Sequence, residues 1–402
     1  MRKSVAGVLL IAALNTACDM PGAPQQYTVR DSVGVSIAES AAPAWGEGEG
    51  WTLADTPHLR IGETDAPGHD LYDVRGVVRL RDGRVAVANS GSSEIRIFST
   101  DGALLETIGG PGEGPGEFRN LWRIFLLPGD SLLVTDASLD RLTVFSPDGE
   151  LVRTARFEAS PSGGVPTPST RLGDGSFIAL PSFTFGSGSG SESRVVQDTV
   201  ALMRYRMDGS YAGEIGRSAG SEHFMFVHES GMLGGPRIWG RRTHIAAAGD
   251  QVIVGHSADH SYEVWNADGR VLRKVRAERP LRPVTDADVA LMREPDPESD
   301  PGSTDMFNRV LDALPPPTHF PAYEDIEAES DGHVWIRDYV WPDEGAAQEW
   351  QVFDPEGRWL GAVTMPPGFT PLVIEADEIL GIFRDDMDVE HLHGYRLSRG
   401  AP

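Results

Sequence analysis

Polar side chains recur where short β-rich runs of this sequence begin or end. Carboxylate and amide oxygens can hold a divalent cation, whereas arginine and histidine can hold anionic or hydrogen-bonding ligands. Such groups form one site only if the runs are equivalent strands of a repeat whose ends lie on the same side of the fold. The residues that follow the second run of each group are Asn89, Asp136, Ser182, His256, Asp338 and Arg384. Those that start the first runs are Arg75, Trp122, Arg123, Arg241, Arg242, Glu324 and Asp325.

The runs belong to a repeat. Each unit is counted from the glycine turn that follows the first run of a group. It contains the second run, a polar loop, the third run and a turn such as Asp101-Gly102 or Asp148-Gly149 before the last run. Six units start near residues 83, 129, 175, 249, 332 and 377. The shorter spacings are about 45 residues, the size of a propeller blade of four short strands. The last unit lacks a fourth strand, which we expect residues 27–35 or 51–61 to supply.

One stretch of the repeat resembles a known family. The run VANSGSSEIRIFSTDGALLETIGGPGEGPGEF is similar to the NHL repeat, and the likeness extends over about residues 60–400. As a whole the chain resembles six-bladed propeller lipoproteins of bacteria, a resemblance that implies no particular activity. In NHL-type repeats the Asp or Asn after the second strand bonds main-chain amides of its own turn. Asn89 and Asp136 match that role, whereas His256, Asp338 and Arg384 are less readily explained as turn residues.

The segment GGPGEGPGEF, residues 109–118, lies between two β-rich runs. A phosphate-binding loop would place its glycines at the start of a helix, usually with a lysine nearby. Here no helix is expected, and Glu113 and Glu117 would repel an anion. The segment is therefore predicted to connect two blades.

Charge and the N-terminus indicate where the protein acts. Acidic residues outnumber basic ones 60 to 35, for a net charge of −25, which disfavours nucleic acid and anionic lipid as partners. Arg2 and Lys3 precede an apolar run, and Cys18, the only cysteine, follows small residues as in a bacterial lipobox. Asn15 departs from that pattern. We predict a signal peptide over 1–17, lipidation of Cys18, a tether over 18–26 and a periplasmic or outer envelope location. The lipid is then the only membrane contact.

The longest interruption of the repeat lies between the fourth and fifth units. Residues 284–294 predict a short helix that Thr285 caps with Asp288 in a capping box. Residues 303–317 predict a second helix, capped by Ser303 or Thr304 and stopped by prolines. Its apolar stripe either packs on the propeller or forms a lid or docking helix over one face of the ring. The stripe consists of Met306, Phe307, Val310, Leu311 and Leu314.

Three kinds of enzyme can be weighed against the sequence. A calcium-dependent lactonase or esterase on a six-bladed ring needs converging oxygen ligands, and Asn89, Asp136 and Asp338 are candidates for three of them. His391 and His393 would lie on one face of a strand, but spacing fixes no third metal ligand. No G-x-S-x-G motif indicates nucleophilic hydrolysis.

The sequence thus predicts an all-β, NHL-like six-bladed β-propeller over residues 27–400, with a short helical insertion over 284–317 between blades 4 and 5. We expect a binding or scaffold protein that recognises an envelope protein, peptide or glycan at one ring face. No catalytic residue, metal or cofactor is assigned, and a calcium-dependent hydrolase is the alternative. The candidate binding residues are Arg75, Asn89, Asp136, Arg242, His256, Asp338 and Arg384.

Overall fold

This computed structural model describes residues 26–64, 66–161, 166–181, 192–229, 231–294, 300–342 and 347–400. The predicted signal peptide, Cys18 and Ser182 lie outside the described residues, as does most of the Ser/Gly-rich segment 186–193. The described chain forms thirty strands and two α-helices. Neither of these helices is long and apolar enough to cross a membrane.

Four strands precede the first blade: β1 (Tyr27–Ser32), β2 (Val35–Ser40), β3 (Thr52–Leu53) and β4 (Leu59–Ile61). Blade 1 contains β5 (Val74–Arg79), β6 (Val85–Asn89), β7 (Glu94–Phe98) and β8 (Leu104–Gly109). Blade 2 contains β9 (Leu121–Leu126), β10 (Leu132–Asp136), β11 (Arg141–Phe145) and β12 (Leu151–Arg156). Each blade is an antiparallel meander, with its strands paired in chain order.

Blade 3 is interrupted by a small accessory sheet. The strands of this region are β13 (Pro166–Arg171), β14 (Phe177–Pro181), β15 (Arg194–Val196), β16 (Thr199–Tyr205), β17 (Tyr211–Ala219), β18 (His223–His228) and β19 (Gly231–Pro236). Strands β13, β14, β16 and β17 form the blade, whereas β15, β18 and β19 form the accessory sheet. Blade 4 contains β20 (Thr243–Ala248), β21 (Gln251–His256), β22 (Ser261–Asn266) and β23 (Val271–Ala277).

The helical insertion follows, with α1 (Asp286–Met292) and α2 (Pro301–Ala313). Blade 5 contains β24 (Tyr323–Ala328), β25 (Val334–Asp338), β26 (Glu349–Phe353) and β27 (Trp359–Thr364). Blade 6 contains β28 (Phe369–Ile374), β29 (Glu378–Arg384) and β30 (Glu390–Ser398). The predicted six-bladed β-propeller with a helical insertion between blades 4 and 5 is therefore confirmed.

Six apolar clusters hold the ring together, one at each junction between neighbouring blades. Alternate residues of a strand point to opposite faces, so each blade packs on both neighbours. In blade 5, for example, Ile336 packs toward blade 4 and Trp335 toward blade 6. The first strand of each blade lies innermost, and β20 contacts the inner strands of blades 3 and 5.

The N-terminal segment closes the ring. Strand β30 pairs with β4, where Leu392 lies opposite Ile61, and with β3, where Ser398 lies opposite Thr52. Of the two stretches considered from the sequence, residues 51–61 thus supply the closing strand. Strands β1 and β2 instead form a hairpin on the outer edge of blade 4, with β2 parallel to β23. Closure gives blade 6 its outer strand and leaves β30 paired on both sides.

The insertion differs from prediction at its second helix. Thr285 caps α1 through the predicted capping box with Asp288. Helix α2, however, begins earlier than expected and is capped by Asp300, which accepts a bond from the Ser303 main chain; capping by Ser303 or Thr304 is wrong. Proline has no main-chain N–H, and the N–H groups of the first helical turn have no acceptor within the helix. A proline is therefore tolerated there, which permits the earlier start. Val310 and Leu311 are buried, so this part of the stripe packs against the protein.

Candidate functional site

Ionisable groups face the axis of the ring from the inner strand of blade 5. Ile326 packs in the cluster between blades 4 and 5, so Asp325 and Glu327 on either side of it share the other face of β24. The Asp325 side chain is 43% exposed. Arg337 of the neighbouring strand lies 3.3 Å from the Glu324 carboxylate. Arg123, on the inner strand of blade 2, makes no ion pair with any described residue.

His244 joins this group from blade 4. Its Nδ1 atom lies 3.8 Å from Oδ1 of Asp325, and its ring lies 5.5 Å from that of Tyr323. Nε2 is buried and has no partner among the residues described. Burial, together with nearby Arg242 and Arg337, lowers the pKa of His244 to about 3. The imidazole is therefore neutral at physiological pH, and its free nitrogen can serve as a donor or an acceptor.

Two of the three carboxyl groups of β24, those of Asp325 and Glu327, resist ionisation. Burial, and then repulsion by Asp325, raises the pKa of Glu327 to about 8, although Arg123 acts in the opposite direction. Burial also raises the pKa of Asp325, which Arg337 and Arg123 lower. Glu327 has no hydrogen bond or ion pair with a described residue. Near neutral pH it is mostly a protonated acid, able to donate a hydrogen bond or exchange a proton with a ligand.

A small pocket opens beside these groups. Its volume is about 80 Å³, and it is lined by Trp239, Gly240, Arg242, Ser257, Pro321, Tyr323, Glu324 and Tyr339. We call these residues the mouth pocket. The Trp239 ring, 5% exposed, lies 4.9 Å from Phe320 and 5.4 Å from Trp341. Trp239 has a backbone φ of 50°, an uncommon and costly conformation for a bulky residue.

Two of the predicted binding residues accept hydrogen bonds from main-chain amides. Asn89 is 1% exposed and accepts a 2.8 Å bond from the Tyr72 main chain. Asp136 is 2% exposed and accepts from four main-chain N–H groups. Asp136 thus caps its own turn, through Ser138 and Leu139, as the turn-capping interpretation expects. Asn89 instead bonds the connection before its blade. Little acceptor capacity is left on Asp136 for a ligand.

The other predicted binding residues do not share side-chain partners, although Arg242 and His256 lie near each other at the paired ends of β20 and β21. Asp338 forms a bidentate pair with Arg279 at 2.6 and 2.7 Å, and His256 lies 2.9 Å from the Gln197 amide. Arg384 pairs with Glu390, and Arg75 pairs with Asp73 and lies 5.1 Å above the Trp122 ring. Arg242 lines the mouth pocket. In the described parts of the chain, no hydrogen bond or ion pair joins two of the seven candidates.

The metal hypotheses find little support in the geometry. His391 contacts Asp385 at 3.3 Å, whereas His393 contacts Glu63 at 3.0 Å. Asn89, Asp136 and Asp338, the three calcium candidates, are each bonded to the separate partners given above. The one group of three donors found among described residues is Glu329, Asp331 and His333. There the Trp335 indole and the Arg399 guanidinium already bond Glu329.

The sequence analysis named Arg123, Glu324 and Asp325 but missed His244, Glu327 and Trp239. Strand alternation would have found two of them, since Glu327 follows Asp325, and His244 follows Arg242, by two positions. Trp239 gave no comparable signal, because its role depends on the loop before β20.

Comparisons with known proteins support the fold. Residues 72–172, about a quarter of the chain, match the family DUF5128, described as a 6-bladed beta-propeller. A DUF4221 member from Bacteroides vulgatus is 11% identical, covers 87% of this chain and 99% of its own, and has a TM-score of 0.50. No curated protein matches the sequence.

Two further solved structures have lower TM-scores. A Bacteroides fragilis protein described as exported is 11% identical, with coverage of 87% and 98% and a TM-score of 0.47. A gluconolactonase from Xanthomonas campestris is 12% identical, with coverage of 89% and 99% and a TM-score of 0.41. At these identities the similarity concerns the fold alone.

Proposed function

We propose that this protein binds a small polar ligand, or the end of a peptide or glycan, where the central channel opens beside blades 4 and 5. The observation that carries the proposal is the set of ionisable groups without partners on the channel wall. Glu327 and Arg123 have no ion pair within the described chain, and His244 keeps a free ring nitrogen. Buried polar atoms such as His244 Nε2 are normally satisfied, so a ligand is expected to complete the bonding there, and the exposed Arg123 adds an accessible positive charge.

The surroundings suit binding more than structural support. At the position equivalent to Glu327, blades 1 and 2 carry Val78 and Phe125, whose apolar side chains pack against the blade-junction clusters. At blades 4 and 5 the wall instead offers a carboxylic acid, a neutral imidazole and guanidinium groups. A few polar groups beside aromatic rings are typical of a site that orients a small ligand.

Calorimetric titration with glucose, glucuronate and N-acetylalanine would test the proposal on the full-length mature protein. We expect at least one probe to bind, and Glu327→Gln to weaken it by about tenfold, since the substitution removes the exchangeable proton. Glu214→Gln, an ion-paired residue on the outer strand of blade 3, is the matched control. Absence of binding by all three probes, or equal binding by the Glu327 variant, would contradict the proposal.

A hydrolase is the second candidate, favoured by the two carboxyl groups with raised pKa values on one strand. The calcium-dependent form needs a bound cation. Elemental analysis of the purified protein and lactone turnover before and after chelation would test it. Turnover lost on chelation favours calcium catalysis, whereas turnover that survives chelation but not Glu327→Gln favours acid–base catalysis by the pair.

We also propose that the chain is an NHL-like lipoprotein, exported and anchored in the cell envelope through Cys18. The support is the N-terminal pattern of Arg2, Lys3, an apolar run and a single cysteine. Metabolic labelling with an alkyne fatty acid should mark the wild-type protein and place it in the membrane fraction. Cys18→Ala should abolish both, and unchanged labelling of that variant would refute lipidation.

A further inference from the structure

The mouth pocket contains hydrogen-bond donors that lack acceptors. The Trp239 indole N–H is shielded from solvent and has no partner among described residues, and the same holds for the neighbouring Trp341. Leaving a buried donor unpaired is unfavourable, because the donor loses its hydrogen bonds to water. The rings of Trp239 and Trp341 are in contact, and Trp239 also has a strained backbone. Two unpaired donors side by side indicate that a hydrogen-bond acceptor is missing here.

An unpaired cation lies in the same pocket. In the loop before β20, Arg237 and Arg241 both contact Glu222, at 3.1 and 3.4 Å. Arg242 is exposed; its main-chain N–H bonds Ser257, but its guanidinium has no partner in the described chain. In a protein of net charge −25 carboxylates are abundant. A guanidinium left free at a pocket is therefore available for a ligand.

We infer that the mouth pocket binds the carboxylate group of a small ligand, with Arg242 as its charged partner and Trp239 as a ring surface and N–H donor. This inference rests on the proposed function, and it names the chemistry that the same mouth recognises. A guanidinium recognises a carboxylate through two parallel bonds. The indole N–H is reached directly or through one ordered water, which bonds nearly as well.

The size and polarity of the pocket agree with this assignment. A pocket of about 80 Å³ has ample room for a carboxylate group, since one water needs only about 10–15 Å³ of such space. Glu324 also faces the pocket, but Arg337 at 3.3 Å offsets its charge. A hydroxyl beside the ligand carboxylate can donate to Glu324, which suits a hexuronate, whereas a peptide C-terminus offers a carboxylate without that hydroxyl.

Indole N–H spectra of protein labelled with ¹⁵N-tryptophan provide the test. Of the nine tryptophans, Trp239 is assigned by the signal missing from Trp239→Phe. The probes are glucuronate and N-acetylalanine, with glucose and N-acetylalanine amide as neutral controls. We expect carboxylate probes to shift the Trp239 signal and the neutral controls to leave it unchanged. A shift with glucuronate only would indicate a sugar acid as the ligand, and a shift with N-acetylalanine only would indicate a peptide C-terminus.

Two further variants test carboxylate binding even if Trp239→Phe is unstable. Arg242→Gln should weaken the carboxylate titration by about tenfold or more. Arg276→Gln, an exposed residue of β23 without an ion pair in the described chain, should leave it unchanged. Equal shifts with neutral probes, or no effect of Arg242→Gln, would overturn the inference. If Glu327→Gln alters binding while the Trp239 signal stays still, this inference fails and the channel proposal stands.

Discussion

The end of the second strand serves different purposes in blade 2 and in blade 5. In blade 2, Asp136 accepts from four main-chain N–H groups and holds its turn and the preceding connection in place. In blade 5, Asp338 accepts from Arg279 and from Gln351 side chains. Arg279 opens the long connection that carries the helical insertion. The same position therefore supports the backbone in a regular blade and anchors an inserted segment in an irregular one.

A second difference between these regions follows from the first. In blades 1 and 2, the predicted site residues Asn89 and Asp136 are occupied by main-chain amides of the connections that precede each blade, at Tyr72 and Arg119. Blades 4 and 5 carry the insertion, the strained Trp239 and the channel groups with shifted pKa values. Irregular connections that need their own side-chain supports are thus also where unpaired polar groups collect, as is common for loops on rigid scaffolds.

Of the substitutions proposed, Asp136→Ala in the regular blade 2 should have the largest effect on stability. It removes the acceptor of four main-chain donors at a residue that is 2% exposed. We expect a loss of about 3 kcal/mol in the free energy of unfolding, measured by urea denaturation. Asp136→Asn keeps an acceptor and should lose less. A loss below about 1 kcal/mol for the alanine variant would contradict the turn-capping role.

Asp338→Ala should destabilise the protein by about 2 kcal/mol, because it leaves the partly buried Arg279 without its bidentate partner. Adding Arg279→Met should recover about half of that loss, since the methionine keeps packing near the Trp359 ring without a charge. A double-mutant cycle from urea denaturation gives the coupling. Simple additivity of the two losses would show that the pair does not anchor the insertion.

The repeat could be predicted because its signals are local. Turns such as Asp101-Gly102, where Gly102 has a φ of 87°, fix where each hairpin reverses, and strand alternation then fixes the faces. The sequence does not decide which of the two N-terminal stretches closes the ring. Pairing with β30 joins residues more than 300 positions apart, such as Leu392 and Ile61. Local propensity contains no information on such a partner.

The site was harder to predict than the fold. The polarity of Asp338 gives no indication that Arg279 binds it, because they meet only when blades 4 and 5 are side by side. The raised pKa of Glu327 likewise depends on Asp325, on Arg123 of blade 2 and on burial within the ring. For α2, residue types allowed several caps, and proline at the start decided in favour of Asp300.

Glu327→Gln should show that the stability contributed by the channel wall depends on pH in a way that the rest of the ring does not share. The pKa of Glu327 is raised from 4.5 to about 8 in the folded state, so the folded protein holds a proton that the unfolded chain releases. The free energy of unfolding therefore falls as pH rises from about 4.5 to about 8. Glutamine lacks this titration, so the variant should gain stability over wild type across that window.

Because the neighbouring Asp325 side chain is 43% exposed, solvent screens this effect, and we expect a relative gain of about 1–2 kcal/mol. Urea denaturation at about pH 5, 7 and 9 would measure it, with Glu214→Gln as a control expected to show no such trend. Parallel stability curves for the wild type and the Glu327 variant would mean that this carboxyl is not held protonated by the fold.

Arg384→Gln should have the smallest effect, although Arg384 pairs with Glu390 at 2.6 Å. Its side chain is 50% exposed, so we expect a loss of about 0.5 kcal/mol that shrinks further in high salt. Glu390 itself is mostly buried and accepts a 2.8 Å bond from the Val74 main chain of blade 1. Glu390→Ala should therefore cost more, because it leaves that amide unpaired where blades 6 and 1 meet. If urea denaturation ranks the two variants the other way, the seam depends on the surface ion pair and not on the main-chain contact.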